Sequence, residues 1–266
     1  MARCDYLAAM IFSTDITLAG HLLVLLAGAV AGFVDSIAGG GGLITVPALL
    51  AVGLPPHLAL GTNKLASTMG VTTALRHYRG SGLVRVRDWW PAVVCTFLGA
   101  ASGTILIQRL SAEFLGWAIP VLLLAILVYT LASPDLGAKE ATARLDRRVF
   151  QVLFGLLLGF HDGFFGPGTG AFWAVALVTL VGLDLRRATA STKVMNATSN
   201  ITALVFFLLG GKVVLTVGLA MGVGQFIGAS LGARQVVRRG AGFVRWFLVG
   251  SVGLTVAKML ADRLAG

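Results

Sequence analysis

The chain has 266 residues, 57% of them hydrophobic and only 12% charged, where soluble domains carry about 25% charged residues. So few polar side chains cannot clothe a water-facing surface, which excludes a cytosolic enzyme, a disulfide-stapled secreted domain and a disordered chain, and makes lipid the expected solvent. Formal net charge is +10, but the basic residues lie between apolar stretches and not in a run with interleaved aromatics, so nucleic acid is not an expected partner.

Residues 1–15 read as an N-terminal extension without a signal peptide: Arg3 is the single early basic residue, Asp5 and Asp15 follow it, and no small-residue cleavage site appears. The apolar stretch 16–53 is broken by Gly39, Gly40, Gly41 and Gly42, which leaves a short second arm over 43–53. Full-length spans are expected near 57–76, 88–109 and 112–132, each about the length that crosses a hydrocarbon core of ~30 Å. A polar linker, 133–146, leads to a second broken stretch, 147–182, interrupted by Gly163, Gly166, Pro167, Gly168 and Gly170, with a short arm over 171–182. Further spans are expected near 187–210, 212–234 and 243–264. Glycine costs a helix about 1 kcal/mol and proline about 3. Such runs inside apolar segments therefore predict unwound backbone at membrane depth, tolerated only where protein or a watery cavity surrounds it. Cys4 and Cys95 supply neither a disulfide framework nor metal-ligand spacing, and no cofactor is expected.

The chain repeats itself. Asp35-Ser-Ile-Ala-Gly-Gly-Gly-Gly corresponds to Asp162-Gly-Phe-Phe-Gly-Pro-Gly-Thr at an offset of 127, and Gly61-Thr-Asn-Lys64 to Ala190-Ser-Thr-Lys193 at an offset of 129. Thr73-Ala74 matches Thr202-Ala203, and Phe97-Leu-Gly99-Ala100 matches Phe226-Ile-Gly228-Ala229, again 129 apart. Two homologous halves are read, 16–132 and 147–266. Lys and Arg concentrate in 76–88, around the linker, in 183–187 and in 234–245, which the positive-inside bias assigns to the cytoplasm. Each half is then a glycine-broken re-entrant hairpin plus three transmembrane helices. The odd number of crossings inverts the second copy and puts both termini outside a multi-pass inner membrane protein. Inverted repeats with discontinuous segments at the midplane are the architecture of secondary transporters.

Of the acidic residues only Asp35 and Asp162, at the breaks, fall deep within apolar segments, and Lys64 and Lys193 sit just inside the helix that follows each hairpin. Each costs about 2.5–3.5 kcal/mol at the bilayer centre, so each should pair, face a cavity or handle substrate. The lysines have two readings. They snorkel or clip the aspartates, or, standing at helix starts, they join the dipole and free backbone N–H groups in an anion site. The second reading adds Thr62, Asn63, Thr192, Asn196, Gly40, Gly41, Gly42, Gly168 and Thr169 as substrate-binding candidates, with two such sites converging on one pocket. Asp35 and Asp162 either accept from glycine-turn amides or carry protons, and His161 beside Asp162 titrates near neutrality when unperturbed. Asn200, Thr198, Ser199, Ser67, Thr68 and Thr72 form a polar stripe that either packs helices or lines the pocket. Gly99, Gly103, Gly228 and Gly232 read as small-residue packing faces, and Gln225 as a helix–helix contact.

These motifs resemble the TauE/SafE sulfite-exporter family, and its YfcA-like bacterial members in particular. The likeness rests on Val34-Asp-Ser-Ile-Ala38 before the four glycines, Leu43-Ile-Thr-Val-Pro47, Leu60-Gly-Thr-Asn-Lys64 and Gly163-Phe-Phe-Gly-Pro-Gly-Thr169, across residues 20–260. The resemblance implies an inner-membrane transporter of small anions such as sulfite and organosulfonates, with the same duplicated architecture. A secondary transporter of a small anion, with or without a coupling proton or ion, is the expected function. A passive anion channel at the same site is the alternative, and a membrane enzyme using His161 and Asp162 lacks a nucleophile–base–orienter set.

Overall fold

A computed structural model describes residues 16–132 and 144–265 along the backbone and the side chains of 16–125 and 144–240. The N-terminal extension 1–15 and most of the linker, 133–143, lie outside the described residues. All regular structure among the described residues is helical.

Helix α1, Leu18–Ala38, starts where the Thr17 side chain accepts from Gly20 N–H and ends at Gly39 (φ 80°). After the break, α2 is Gly42–Ala51. Helix α3, Pro56–Gly80, begins with proline in its first turn, where the missing N–H costs nothing. A short 3₁₀ turn, Val86–Trp89, leads into α4, Trp90–Arg109, and α5 is Ala112–Ala132. Asp146 caps α6, Arg147–Phe164, by accepting from the N–H groups of Arg148 and Val149. The second break ends at Gly168 (φ 82°), from which α7, Thr169–Val181, emerges. Asp184 caps α8, Leu185–Leu209. Helix α9 runs from Leu215 to Ala265 with one non-helical residue, Gly240 (φ 74°, ψ −163°). The spans expected at 212–234 and 243–264 are two helical stretches that meet at Gly240, whose non-helical backbone lets the chain bend without a loop. Nothing is described of side chains beyond 240.

Among the described residues, four helical stretches are long and apolar enough to cross a membrane: Leu18–Ala38, Val86–Arg109, Leu185–Leu209 and Leu215–Gly240. The distribution of side chains is inverted relative to a soluble domain. Leu18 and Leu209 are 78% and 79% exposed, while Lys64 and Lys193 are 2% and 1% exposed. In water such an exterior would be an aggregation surface. In lipid it is the solvated one, and polar groups retreat inward to find partners. Helix α8 shows this best: Thr189, Ser191, Thr192, Lys193, Asn196, Ser199, Asn200 and Thr202 are all buried.

Glycines set the closest packing. Gly32 on α1 lies so near α9 that a Cβ would stand 2.4 Å from the Gln225 carbonyl oxygen, and Gly159 on α6 approaches the Thr96 carbonyl of α4 within 2.7 Å in the same sense. Gly32 and Gly159 are 127 residues apart and Gln225 and Thr96 are 129 apart, so the two tight crossings use corresponding positions. The small-residue faces expected at Gly99 and Gly228 also pack, against the backbones of Leu156–Phe160 and of Ala29–Phe33.

The arginine-rich segments gather at one end. Gln151 donates to the Asp88 carbonyl, Arg144 N–H to Leu180, and Arg186 to Val237. The sparsely charged turns meet at the other end, where His57 contacts the Leu110 carbonyl and Lys212 donates to Gln108. That lysine, only partly buried, is pushed below the ordinary lysine range by desolvation.

Candidate functional site

The two glycine breaks touch. A Cβ on Gly39 would lie 2.6 Å from Ala171 N, one on Gly42 2.9 Å from Pro167 Cα, and one on Gly170 2.9 Å from Gly39 Cα. Only residues without side chains at Gly39 and Gly170 let two unwound segments cross at this distance. Gly39 and Gly40 (φ 80° and 88°) and Gly166 and Gly168 (φ 96° and 82°) also turn through backbone conformations that L side chains resist.

Each lysine reaches across to the aspartate of the other break. Lys64 Nζ donates to Asp162 Oδ1 at 2.7 Å and to the Asp162 carbonyl at 2.6 Å. Lys193 Nζ donates to Asp35 Oδ2 at 2.9 Å and to the Asp35 carbonyl at 2.5 Å. Both aspartates stand in the last turn of their helices, where the dipole is negative. The Asp35 carbonyl is shared between Gly39 N–H and Lys193, and each ammonium answers a carboxylate, a carbonyl and the dipole together. Of the two readings of the lysines, the geometry contains the ion-pair clip.

The expectation that these lysines stand at helix starts is corrected. α3 begins at Pro56 and α8 at Leu185, so each lysine is more than two turns inside its helix, beyond the reach of the N-terminal dipole and of unsatisfied N–H groups. The helix starts that do face the centre belong to α2 and α7. There the N–H groups of Gly40, Gly42, Gly168 and Gly170 donate to no protein acceptor among the described residues.

These four glycines line one cavity of about 30 Å³ with Gly41, Asn63, Lys64, Ser67, Val71, Asp35, Asp162, Gly166, Thr169, Asn196, Asn200 and Gln225. That volume holds about two waters. Asn63 Oδ1 accepts from the Thr45 hydroxyl at 2.5 Å and from Ser67 at 3.3 Å, which leaves its NH₂ unspent. Asn196 keeps a buried Oδ1 without a partner. Of the sequence candidates, Lys64, Asn63, Asn196, Gly40, Gly41, Gly42, Gly168 and Thr169 come together here. Lys193 sits behind Asp35. Thr62 and Thr192 do not reach the cavity: Thr62 Oγ1 accepts from Val214 N–H and the Thr192 hydroxyl donates to the Ala188 carbonyl. His161 Nδ1 lies 2.8 Å from Thr169 Oγ1 and outside the lining.

Sequence reasoning underrated Gln225. It donates to Ser67 Oγ at 3.4 Å and lines the cavity as well as packing helices. A lone amide in an apolar span at least marks it as polar. Ser199 donates a short hydrogen bond to Asp162 Oδ2, a role its place in the polar stripe did not specify.

Residues 24–259 match the family model described as sulfite exporter TauE/SafE. The chain belongs to this family. It is 45% identical over 236 residues to a probable membrane transporter protein of Haemophilus influenzae, covering 89% of this chain and 92% of that one. It is 44% identical over 232 residues to the probable membrane transporter protein YfcA of Escherichia coli, covering 87% and 86%, and 42% identical over 248 residues to probable membrane transporter protein ORF9 of a Sinorhizobium species, covering 92% and 95%. No solved structure matches it significantly. The TauE/SafE chain is thus a membrane protein of a transporter family, and its polar centre lies inside a largely apolar shell.

Proposed function

We propose that this TauE/SafE protein is a secondary transporter that carries a small oxyanion, sulfite or an organosulfonate, through the cavity where the two glycine breaks cross. One observation carries the reading: four unspent glycine N–H groups at two helix starts line a single hollow whose two aspartates are already neutralised, Asp162 by Lys64 in the lining and Asp35 by Lys193 behind it. A neutral but donor-rich cradle favours an anion through dipoles and N–H groups, and it leaves the site loosely charged enough to release its cargo.

Two copies of one unit, 16–132 and 147–266, joined by the linker 133–146, account for the matched crossings and for the reciprocal lysine–aspartate pairs. Opposite orientation of the copies follows from the odd number of spans, with the arginine-rich end in the cytoplasm and both termini outside the inner membrane. Rocking of one copy against the other then opens the hollow to each side in turn. At the arginine end a larger hollow of about 300 Å³, lined by Arg85, Asp88, Trp89, Arg147, Arg187 and Ser191, forms an approach that gathers anions.

The test is flux in proteoliposomes loaded with sulfite, thiosulfate or a sulfonate against an opposing gradient. Uphill movement of one of these anions supports the transporter reading. Movement only down the gradient indicates a channel, and movement of none of them, in protein shown to be folded, defeats the assignment.

A further inference from the structure

The two ion pairs correspond in sequence but not in surroundings. Asp162 is closed on every side: its side chain is 3% exposed, Lys64 holds Oδ1, and Ser199 donates to Oδ2. Asp35 is 22% exposed on its side chain; Lys193 holds Oδ2 at 2.9 Å, and Oδ1 has only the Gly41 N–H at 3.3 Å. Both line the cavity, yet only the Asp35 carboxylate is open enough to exchange a proton with water in it.

We infer that Asp35 is the carboxylate that takes up and releases a proton in each transport cycle, while Asp162 remains an ion-paired clip. This rests on the anion reading above and deepens it. The proton from water in the cavity adds to the Asp35 carboxylate to give the neutral acid. Lys193 keeps its hydrogen bond to the Asp35 carbonyl but loses its counter-charge, so the centre gains one positive charge. A monoanion entering beside the glycine N–H groups restores neutrality, and one proton moves with one monoanion without net charge transfer. Among the described residues, the other charged or titratable groups facing Asp35 are Lys193 from α8 and Tyr78 from α3, whose hydroxyl is spent on the Ser36 carbonyl at 2.6 Å. Lys64 and Asp162 complete the charged set around the hollow.

Infrared difference spectroscopy of the full-length protein in vesicles, as bulk pH is lowered, reads this without any substrate. A protonated-carboxyl stretch should grow in the wild type, persist in Asp162→Asn and be missing from Asp35→Asn. A stretch that persists in Asp35→Asn and vanishes in Asp162→Asn overturns the inference, as does a spectrum unchanged by Asp35→Asn. Should Asp35→Asn not fold, Asp35→Glu decides: the longer side chain carries the carboxyl into different surroundings, so the frequency of the stretch must move. An unmoved stretch in that variant overturns it. Sulfite-driven proton uptake into the same vesicles is the second arm. A wild type that moves no sulfite counts against the anion reading, while the infrared bands still decide whether Asp35 takes the proton.

Discussion

Replacing Lys64 by Met tests whether the centre is held by its cross-break pairs. At 2.7 Å the Lys64–Asp162 attraction is about 6 kcal/mol gross at an effective dielectric near 20, most of it offset by desolvation of two almost fully buried groups. Removing one partner leaves the other as an uncompensated buried charge, at a cost of about 3–5 kcal/mol. Lys64→Met should therefore lower unfolding stability in mixed micelles by about that amount. The double variant Lys64→Met/Asp162→Asn should recover much of the loss, because no orphan charge remains. The cycle predicts a coupling energy near the top of the ~0.5–3 kcal/mol seen between contacting residues. The same cycle at Lys193 and Asp35 should give a smaller value, since the Asp35 side chain is 22% exposed against 3% for Asp162. Single losses that add within about 0.5 kcal/mol would refute the claim that the pair acts as a unit.

Gly39→Ala should damage folding more than Gly53→Ala, as read by thermal unfolding. Both residues have positive φ, 80° and 90°, but a Cβ on Gly39 meets Ala171 N at 2.6 Å while nothing lies within 4 Å of one on Gly53. Gly53→Ala then costs only the ~1–2 kcal/mol of left-handed backbone; equal losses would remove the steric argument for the crossing. Ser199→Ala takes one donor from a buried carboxylate and should cost about 1.5–3 kcal/mol, the usual value for a hydrogen bond to a charged group. Neutralising Arg85 and Arg187 together should slow anion uptake at low ionic strength and much less at high salt, because screening already shortens the reach of those charges.

Much of the centre was legible because breaking an apolar span is costly. Four glycines in one stretch and Gly-Pro-Gly in another can only mean unwound backbone, and an Asp or Lys beside them only a polar interior. Which lysine meets which aspartate was not legible. The partners are 98 and 158 residues apart, and nothing in local pattern distinguishes pairing within a half from pairing across halves. The helix-start argument failed for a local reason: the proline at 56 and the Asp184 cap set α3 and α8 going two turns before each lysine. Thr62 and Thr192 share the lysines' neighbourhood in sequence, yet the helical turn points them to Val214 and back to Ala188. Gln225 escaped notice as a cavity residue because a single amide carries no period.

The central claim is that cargo passes through the hollow between the two glycine breaks, and filling that hollow tests it most directly. Ser67 lines a cavity of only about 30 Å³, so Ser67→Leu should occupy it while adding no charge. Counterflow of labelled sulfite or sulfonate into proteoliposomes should then fall to the protein-free baseline in a variant that still folds and elutes as wild type. Accumulation equal to wild type with the cavity filled would contradict the account.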